Sequence, residues 1–242
     1  MGLSHKNIPG WLENNFLFRK LFLLRKVFLT KKKFNHYGQF AEDITVNRLF
    51  PKSKKGVFLD IGCFHPIKYS NTWALYKKGW RGINVDIDSI KIEAFNMVRS
   101  KDTNVACAVS NETGEVSYYR RGFYSLLNTL DKEFADERGG YKEDKVNCDT
   151  LTNIIDNSEF KDATIDYISI DTEGNDFKVL SSLDFERYAP SVIAFESHYD
   201  RFDQNENTDI YQFLKSKDFV LVGWCGLTLI MAKKEFMENR KG

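Results

Sequence analysis

Cysteine, proline and long apolar runs are all scarce in this 242-residue chain, and each scarcity removes a class of protein. The four cysteines (Cys63, Cys107, Cys148 and Cys225) show no C-x-x-C spacing, so zinc fingers and a disulfide framework are not expected and all four should remain thiols. With four prolines, fifteen glycines and no repeat, the chain is neither collagenous nor low in complexity. A large charge of one sign is also missing: 35 Lys and Arg face 34 Asp and Glu, which excludes a broadly basic body that grips nucleic acid. What remains is a chain that is 42% apolar and 14% aromatic, with 20 phenylalanines, ordinary for one large globular domain with an attached segment.

The attached segment is residues 1–36. It holds eight Lys and Arg against Glu13 alone, a charge of +7 that leaves −6 for the remainder. Between Phe16 and Leu29 the longest unbroken apolar run is Leu21 to Leu24, far below the roughly 20 residues of a spanning helix. Charges interrupt the apolar residues and no small-residue cleavage site follows, so a signal peptide fits poorly; position 6 is Lys, which does not support myristoylation. On a helical wheel Leu17, Leu21, Leu24 and Phe28 share one face, flanked by Phe18, Phe22 and Leu29, with Arg19, Lys26 and Lys33 opposite. Two readings stand: a helix packed on the body or on another subunit, or a helix within residues 11–34 lying on an anionic membrane. The expected location is cytoplasmic, peripheral on the inner membrane face if the second reading holds.

From about Gly38 onward, short β-branched runs alternate with helical stretches. VFLDI (57–61), GINVD (82–86), NVACAV (104–109), IDYISID (165–171) and SVIAFE (191–196) read as strands, and FVLVG (219–223) with LTLIMAK (227–233) as a closing antiparallel hairpin. Residues 71–78, 89–99, 175–182 and 208–217 read as helices. The alternation predicts an α/β fold, a mostly parallel sheet covered on both faces. Residues 115–160 are polar and turn-rich, with only EVSYY a clear strand, and are expected to form an insertion or a lid.

Ligands in such sheets bind beyond the carboxyl ends of the strands. There the first candidate strand carries Asp60 and Gly62, the second Asp86, the fourth Asp171 and Glu173, and the fifth Glu196 and His198. Gly62 lets a ligand approach the backbone, and a carboxylate at Asp86 is placed to accept both hydroxyls of a ribose. Asp60 or Asp86 alone could equally be a turn or helix cap. Together, at this spacing, they predict a nucleoside site. After Gly62 come Phe64, His65 and Pro66, with no second or third glycine of G-x-G-x-x-G, so a pyrophosphate finds few backbone donors. S-adenosylmethionine, which has no phosphate, fits better than NAD.

These stretches resemble the FkbM family of S-adenosylmethionine-dependent methyltransferases. The resemblance rests on GQFAED (38–43), FLDIGCFHPIKYSNTWALYKKGWRGINVDID (58–88), NVACAVSNETGEVSYY (104–119), LNTLD (127–131), DYISIDTEGNDFKVLSSLDF (166–185) and PSVIAFE (190–196), and leaves out the basic segment. Cys63 departs from the pattern, which often has Ala there. The resemblance implies a class I methyltransferase (Rossmann-like) fold of seven strands, the last antiparallel, with helices on both faces. It also implies that Asp60 and Gly62 line the methionine end of the cofactor and Asp86 the ribose. Ala108, Val109 and Ser110 would lie near adenine, while Gln39, Glu42 and Asp43 close over the cofactor. Ser70, Asn71 and Thr72 would cap a helix or reach cofactor or substrate.

The expected reaction is O-methylation of a sugar hydroxyl on a glycan or glycolipid. A non-sugar acceptor and a non-catalytic nucleoside-binding protein of the same fold are the alternatives. A sugar hydroxyl must lose its proton, so a base is needed. Asp171 is first by position, His198 is chemically better tuned, and His65 is a third candidate. Asn71, Glu173, Glu196 and His65 are expected to contact substrate or support the site. Asp171, Glu173, Glu196 and His198 could instead gather Mg²⁺, a reading allowed but not favoured.

Overall fold

The computed structural model describes residues 8–29, 36–172 and 174–240; Glu173, and Lys33 of the basic segment, lie outside them. Ten strands are present among these residues: β1 (Val57–Ile61), β2 (Arg81–Asp86), β3 (Thr103–Ala106), β4 (Ala108–Val109), β5 (Gly114–Arg120), β6 (Lys142–Asp149), β7 (Ile165–Ile170), β8 (Val192–Glu196), β9 (Phe219–Cys225) and β10 (Thr228–Lys233). Seven form one sheet in the order β3-β2-β1-β7-β8-β10-β9. The first five of that order are parallel, and β10 is antiparallel to both its neighbours. The expected α/β architecture is therefore present, with seven mostly parallel strands and an antiparallel terminal strand. The chain leaves β1 in one direction to β2 and β3, then returns to β7 on its other side. That reversal is where doubly wound sheets open a ligand crevice.

The central strands read as nearly continuous apolar runs because their alternate side chains serve two cores. Leu59 and Ile61, Ile168 and Ile170, Ile193 and Phe195, and Leu229 and Met231 meet the helices Leu151–Asp156, Asp176–Ser181 and Asp209–Ser216. Phe58, Tyr167, Val192, Ala194, Ile230 and Ala232 meet the other layer, with Val46, Leu75 and Phe236 from the helices Glu42–Leu49, Trp73–Lys77 and Lys234–Asn239. Each such fully buried large side chain stabilises by about 1.5–3 kcal/mol relative to exposure.

Two expectations change. NVACAV is not one strand: after Ala106 the Cys107 N–H bonds the Asp86 carbonyl at 3.0 Å, and β4 then pairs with β6 in a separate three-stranded sheet, β4-β6-β5. β6 itself was not legible, because KEDKVNCD lacks an apolar alternation and takes its extended form from seven-residue pairing with β5. Residues 115–160 thus supply β5 and β6 of the small sheet, a loop over the strand ends, and the helix Leu151–Asp156 of the main core.

The N-terminal helix, Phe16–Phe28, docks on the body through Leu23 and Val27, with the Phe22 ring 4.8 Å from that of Phe123. Arg19 pairs with Glu93, and the Lys26 ammonium sits over the Tyr124 ring. The basic side of the wheel therefore faces inward. Leu17, Leu21, Leu24 and Phe28, grouped as the apolar face, point outward and are 44–65% exposed. Apolar residues cover more than one face of this helix, so Phe18, Phe22, Leu23 and Val27 offer a second apolar edge that wins the contact with the body.

His65 clasps this helix. Its Nδ1 accepts from the Ile67 and Lys68 N–H groups at 3.0 Å each, which fixes Nε2 as the protonated nitrogen donating to the Lys26 carbonyl at 3.2 Å. A ring used in this way cannot also act as a free base. Burial pushes its pKa from 6.5 down to about 4. A depressed folded value means that the clasp is fully present above about 6.5 and is lost as pH falls through about 4. Amide-exchange protection of residues 18–28, corrected for intrinsic rates, should fall across that interval, and His65→Gln should remove the dependence.

Candidate active site

β1 ends in a turn that only glycine can make. Gly62 has φ +81°, its N–H and that of Cys63 both bond the Val85 carbonyl, and a Cβ there would lie 1.7 Å from the Asp171 carbonyl oxygen. The turn is thus pressed between the ends of β2 and β7. Around it opens a cleft enclosing about 640 Å³ not filled by atoms, open solvent included. Gly62, Asp86 and Asp171 all line it, with Ile61, Val85 and Val109 as its apolar floor.

Asp86 is buried at the end of β2. One carboxylate oxygen accepts from the Asp88 N–H at 2.7 Å and the other pairs with the Lys91 ammonium at 2.9 Å. Burial raises its pKa to about 6 against the pull of Lys91. Lys91 is itself buried; that burial lowers its pKa, and the Asp86 and Asp88 carboxylates outweigh it, leaving the ammonium held in its charged form. Asp88 caps the helix Ser89–Val98 and accepts from Asn128 Nδ2 at 2.9 Å, which ties the loop containing LNTLD to the cleft.

Asp60 faces the other side of β1. In register, Asn104, Asn84, Asp60 and Ser169 form a polar row across β3, β2, β1 and β7. The loop after β1 satisfies this row: Thr72 Oγ1 donates to Asp60, and Asn71 Nδ2 donates to Ser169 Oγ at 3.2 Å. Behind it lies Arg99, fully buried, which donates to the Pro66 carbonyl, Ser70 Oγ, Thr72 Oγ1 and Asn84 Oδ1 and stands 3.9 Å from Asp60. Burial raises the Asp60 pKa, with Arg99 and Thr72 opposing. Burial pushes the Cys63 thiol well up, and the Asp60 and Asp86 charges add to that rise.

Glu42, buried, accepts from the Gln39 and Phe40 N–H groups and shapes the GQFAED turn; burial raises its pKa. A Cβ at Gly38 would touch both Glu42 and Asn71, so these two adjoin. Asn71 Oδ1 is a buried acceptor with no hydrogen-bond partner. Ser110 bonds the Asp149 carbonyl through its N–H, and its neighbour Val109 reaches the cleft instead. At the end of β8, His198 is largely exposed and 3.7 Å from Glu196, outside the residues that line the cleft. Asp176 binds the ends of β7 and β8 together, accepting from Thr172 N and Oγ1 and from the Glu196 N–H. Among the described residues, no three His, Cys, Asp or Glu are placed to share a metal ion.

The sequence profile of the methyltransferase FkbM domain matches residues 60–221. The chain belongs to the FkbM methyltransferase family. A TehB-like SAM-dependent methyltransferase from Corynebacterium glutamicum is a similar solved structure, at 13% identity and TM-score 0.43, covering 94% of this chain and 100% of its own. No curated protein matches the chain.

Membership in an FkbM methyltransferase family implies S-adenosylmethionine as methyl donor, and the residues present fit it. The buried Asp86 carboxylate suits a ribose diol. The apolar floor suits an adenine ring, and the unpartnered Asn71 acceptor beside Glu42 and the Asp60 row suits an ammonium group. Three positions of this FkbM protein escape sequence reasoning: Arg99, Lys91 and Asp176. Each is a charge inside a helical stretch, and a charge interrupting an apolar helix face was the available signal. Arg99→Met leaves Asp60, Ser70, Thr72 and the Pro66 carbonyl without their partner and should cost about 3–5 kcal/mol, read by chemical denaturation.

Proposed function

We propose that this protein is an S-adenosylmethionine-dependent O-methyltransferase acting on a sugar hydroxyl of a glycan or glycolipid. The observation that carries this reading is the convergence of Gly62, Asp86 and Asp171, from three adjacent strand ends, on one cleft. The bound donor supplies an activated methyl group on a sulfonium. Gly62 and Asp86 would hold that donor in the cleft with its methyl group directed at the acceptor oxygen, the sulfonium sulfur would take the electron pair of the broken bond, and Asp171 would take the hydroxyl proton. An oxygen that is already binding the methyl group is strongly acidic, so a carboxylate suffices as base. Alignment of acceptor and methyl supplies much of the rate.

Asp171→Ala should abolish transfer of labelled methyl from S-adenosylmethionine to glycan extracts while calorimetric affinity for the donor stays within about twofold. Unchanged turnover removes Asp171 from the mechanism.

The outward face of the N-terminal helix supports a peripheral role at an anionic bilayer. Leu17, Leu21, Leu24 and Phe28 form an exposed ridge on a segment of charge +7, and no described helix is long and apolar enough to cross a membrane. A second copy is the poorer occupant, since two such segments would set like charges against each other. Changing all four ridge residues to Ser should lower partitioning onto phosphatidylglycerol vesicles by about a hundredfold or more, with the melting temperature unchanged. Equal sedimentation of both proteins with the vesicles refutes the membrane role.

A further inference from the structure

Two physical costs attach to a lysine at position 91. It stands in the first turn of the helix Ser89–Val98, where the helix dipole disfavours a cation, and its side chain is buried. An apolar side chain there would avoid taking an ammonium out of water. Among the described residues that line the donor cleft, Lys91 is moreover the one cation, although the donor that the family implies is itself a positive sulfonium. A second positive charge in such a cleft is tolerable only if it is neutralised by a neighbour.

That neighbour is Asp86. The Lys91 ammonium lies 2.9 Å from its carboxylate, with side chains only 6% and 4% exposed, and 5.6 Å from the centroid of the Phe64 ring. The other charge beside Asp86 is Asp88, at the same strand end. Cys63 from the turn after β1, Tyr118 of β5 and Tyr124 from the loop beyond it also feel the Asp86 charge. Burial is the chief cause that raises the pKa of each of these three, so they stay neutral at ordinary pH. Burial and Asp88 raise the Asp86 value to about 6, and the Lys91 ammonium is the largest influence opposing them.

The charge state of Asp86 matters for the ligand it faces. A carboxylate offers about four acceptor sites, and the contacts from the Asp88 N–H and from Lys91 leave room on each oxygen. Two ribose hydroxyls need an acceptor oxygen each, and a protonated carboxyl has given one of its oxygens to a proton.

We propose that Lys91 is a positioning residue for the methyl donor: its buried ammonium keeps Asp86 ionised as the acceptor pair for the ribose diol, and so sets the lower pH limit of donor binding. The inference rests on the methyltransferase reading of the cleft. Donor affinity is full where Asp86 is ionised and is lost as it takes up a proton. Removing the ammonium removes an attraction that favours the charged form, so the loss moves to higher pH.

The test is calorimetry with S-adenosylhomocysteine between about pH 5.5 and about pH 9, joined to a carbon-13 carboxyl titration of Asp86 in the ligand-free protein. Wild-type affinity should fall as pH drops through about 6. Lys91→Met should bind about tenfold or more weakly near neutral pH, the gap closing as pH rises, with an Asp86 midpoint above that of the wild type. Lys91→Gln, which keeps a hydrogen-bond donor without the charge, should shift in the same direction and carries the test if the Met variant does not fold. An Asp86 midpoint that stays in place in these variants overturns the proposal. So does a loss of affinity that is equal at every pH, the mark of a role in shape alone. Failure of the wild type to bind S-adenosylhomocysteine at any pH counts against the methyltransferase reading, and the Asp86 midpoint then decides by itself whether Lys91 keeps the carboxylate ionised.

Discussion

A single buried guanidinium, that of Arg99, holds the geometry on which the candidate site depends. Four oxygens from the loop after β1 and from β2 accept its hydrogens, and the rings of Phe58, Trp73, Tyr76 and Phe95 pack around it. Taking such a charge out of water is costly, and here every direction in which the fork points is satisfied. Because Ser70 and Thr72 are fixed by Arg99, Asn71 between them is fixed as well, and so is the face that Asp60 presents. A lysine, with a compact ammonium in place of a planar fork, could not span the same set of acceptors.

The sheet separates two kinds of chemistry by strand parity. Alternate residues of β1 and β7 bury Leu59, Ile61, Ile168 and Ile170 in one core, and Ile61 reaches the floor of the donor cleft. The intervening residues Asp60 and Ser169, paired in register, stand in the polar row on the opposite side. The glycine turn at position 62 joins the two regions, since it alone passes between β2 and the Asp171 carbonyl. Asp86 sits past the last paired residue of β2 with β1, where it can be buried and still face a cavity.

The loop and small sheet built from residues 108–149 bring the remaining walls. Asn128 reaches Asp88, Leu126 and Leu130 close the donor cleft, and Arg121 and Tyr124 line a second cavity that shares Phe64 and Leu126 with it. The N-terminal helix completes the wall of that cavity with Lys26, locked through the His65 clasp. A segment that is separate in charge and composition is thereby part of the site's surroundings.

The strands of the main sheet, their alternation with helices and the acids at their ends were legible in the sequence, because apolar periodicity and strand-end position are local properties. Gly62, Asp86 and Asp171 were legible for the same reason. The roles of His65, Arg99 and Lys91 were not, since a buried histidine or cation is defined by partners distant along the chain: the Lys26 carbonyl, the Pro66 carbonyl and Asp86. Nor could periodicity say which edge of the N-terminal helix docks, when apolar residues cover more than half its circumference. The sequence by itself determined the fold class and which residue types stand at the strand ends. Only the tertiary structure decided which of them share a cleft, because strand parity and long-range pairing, not order along the chain, set where each side chain points.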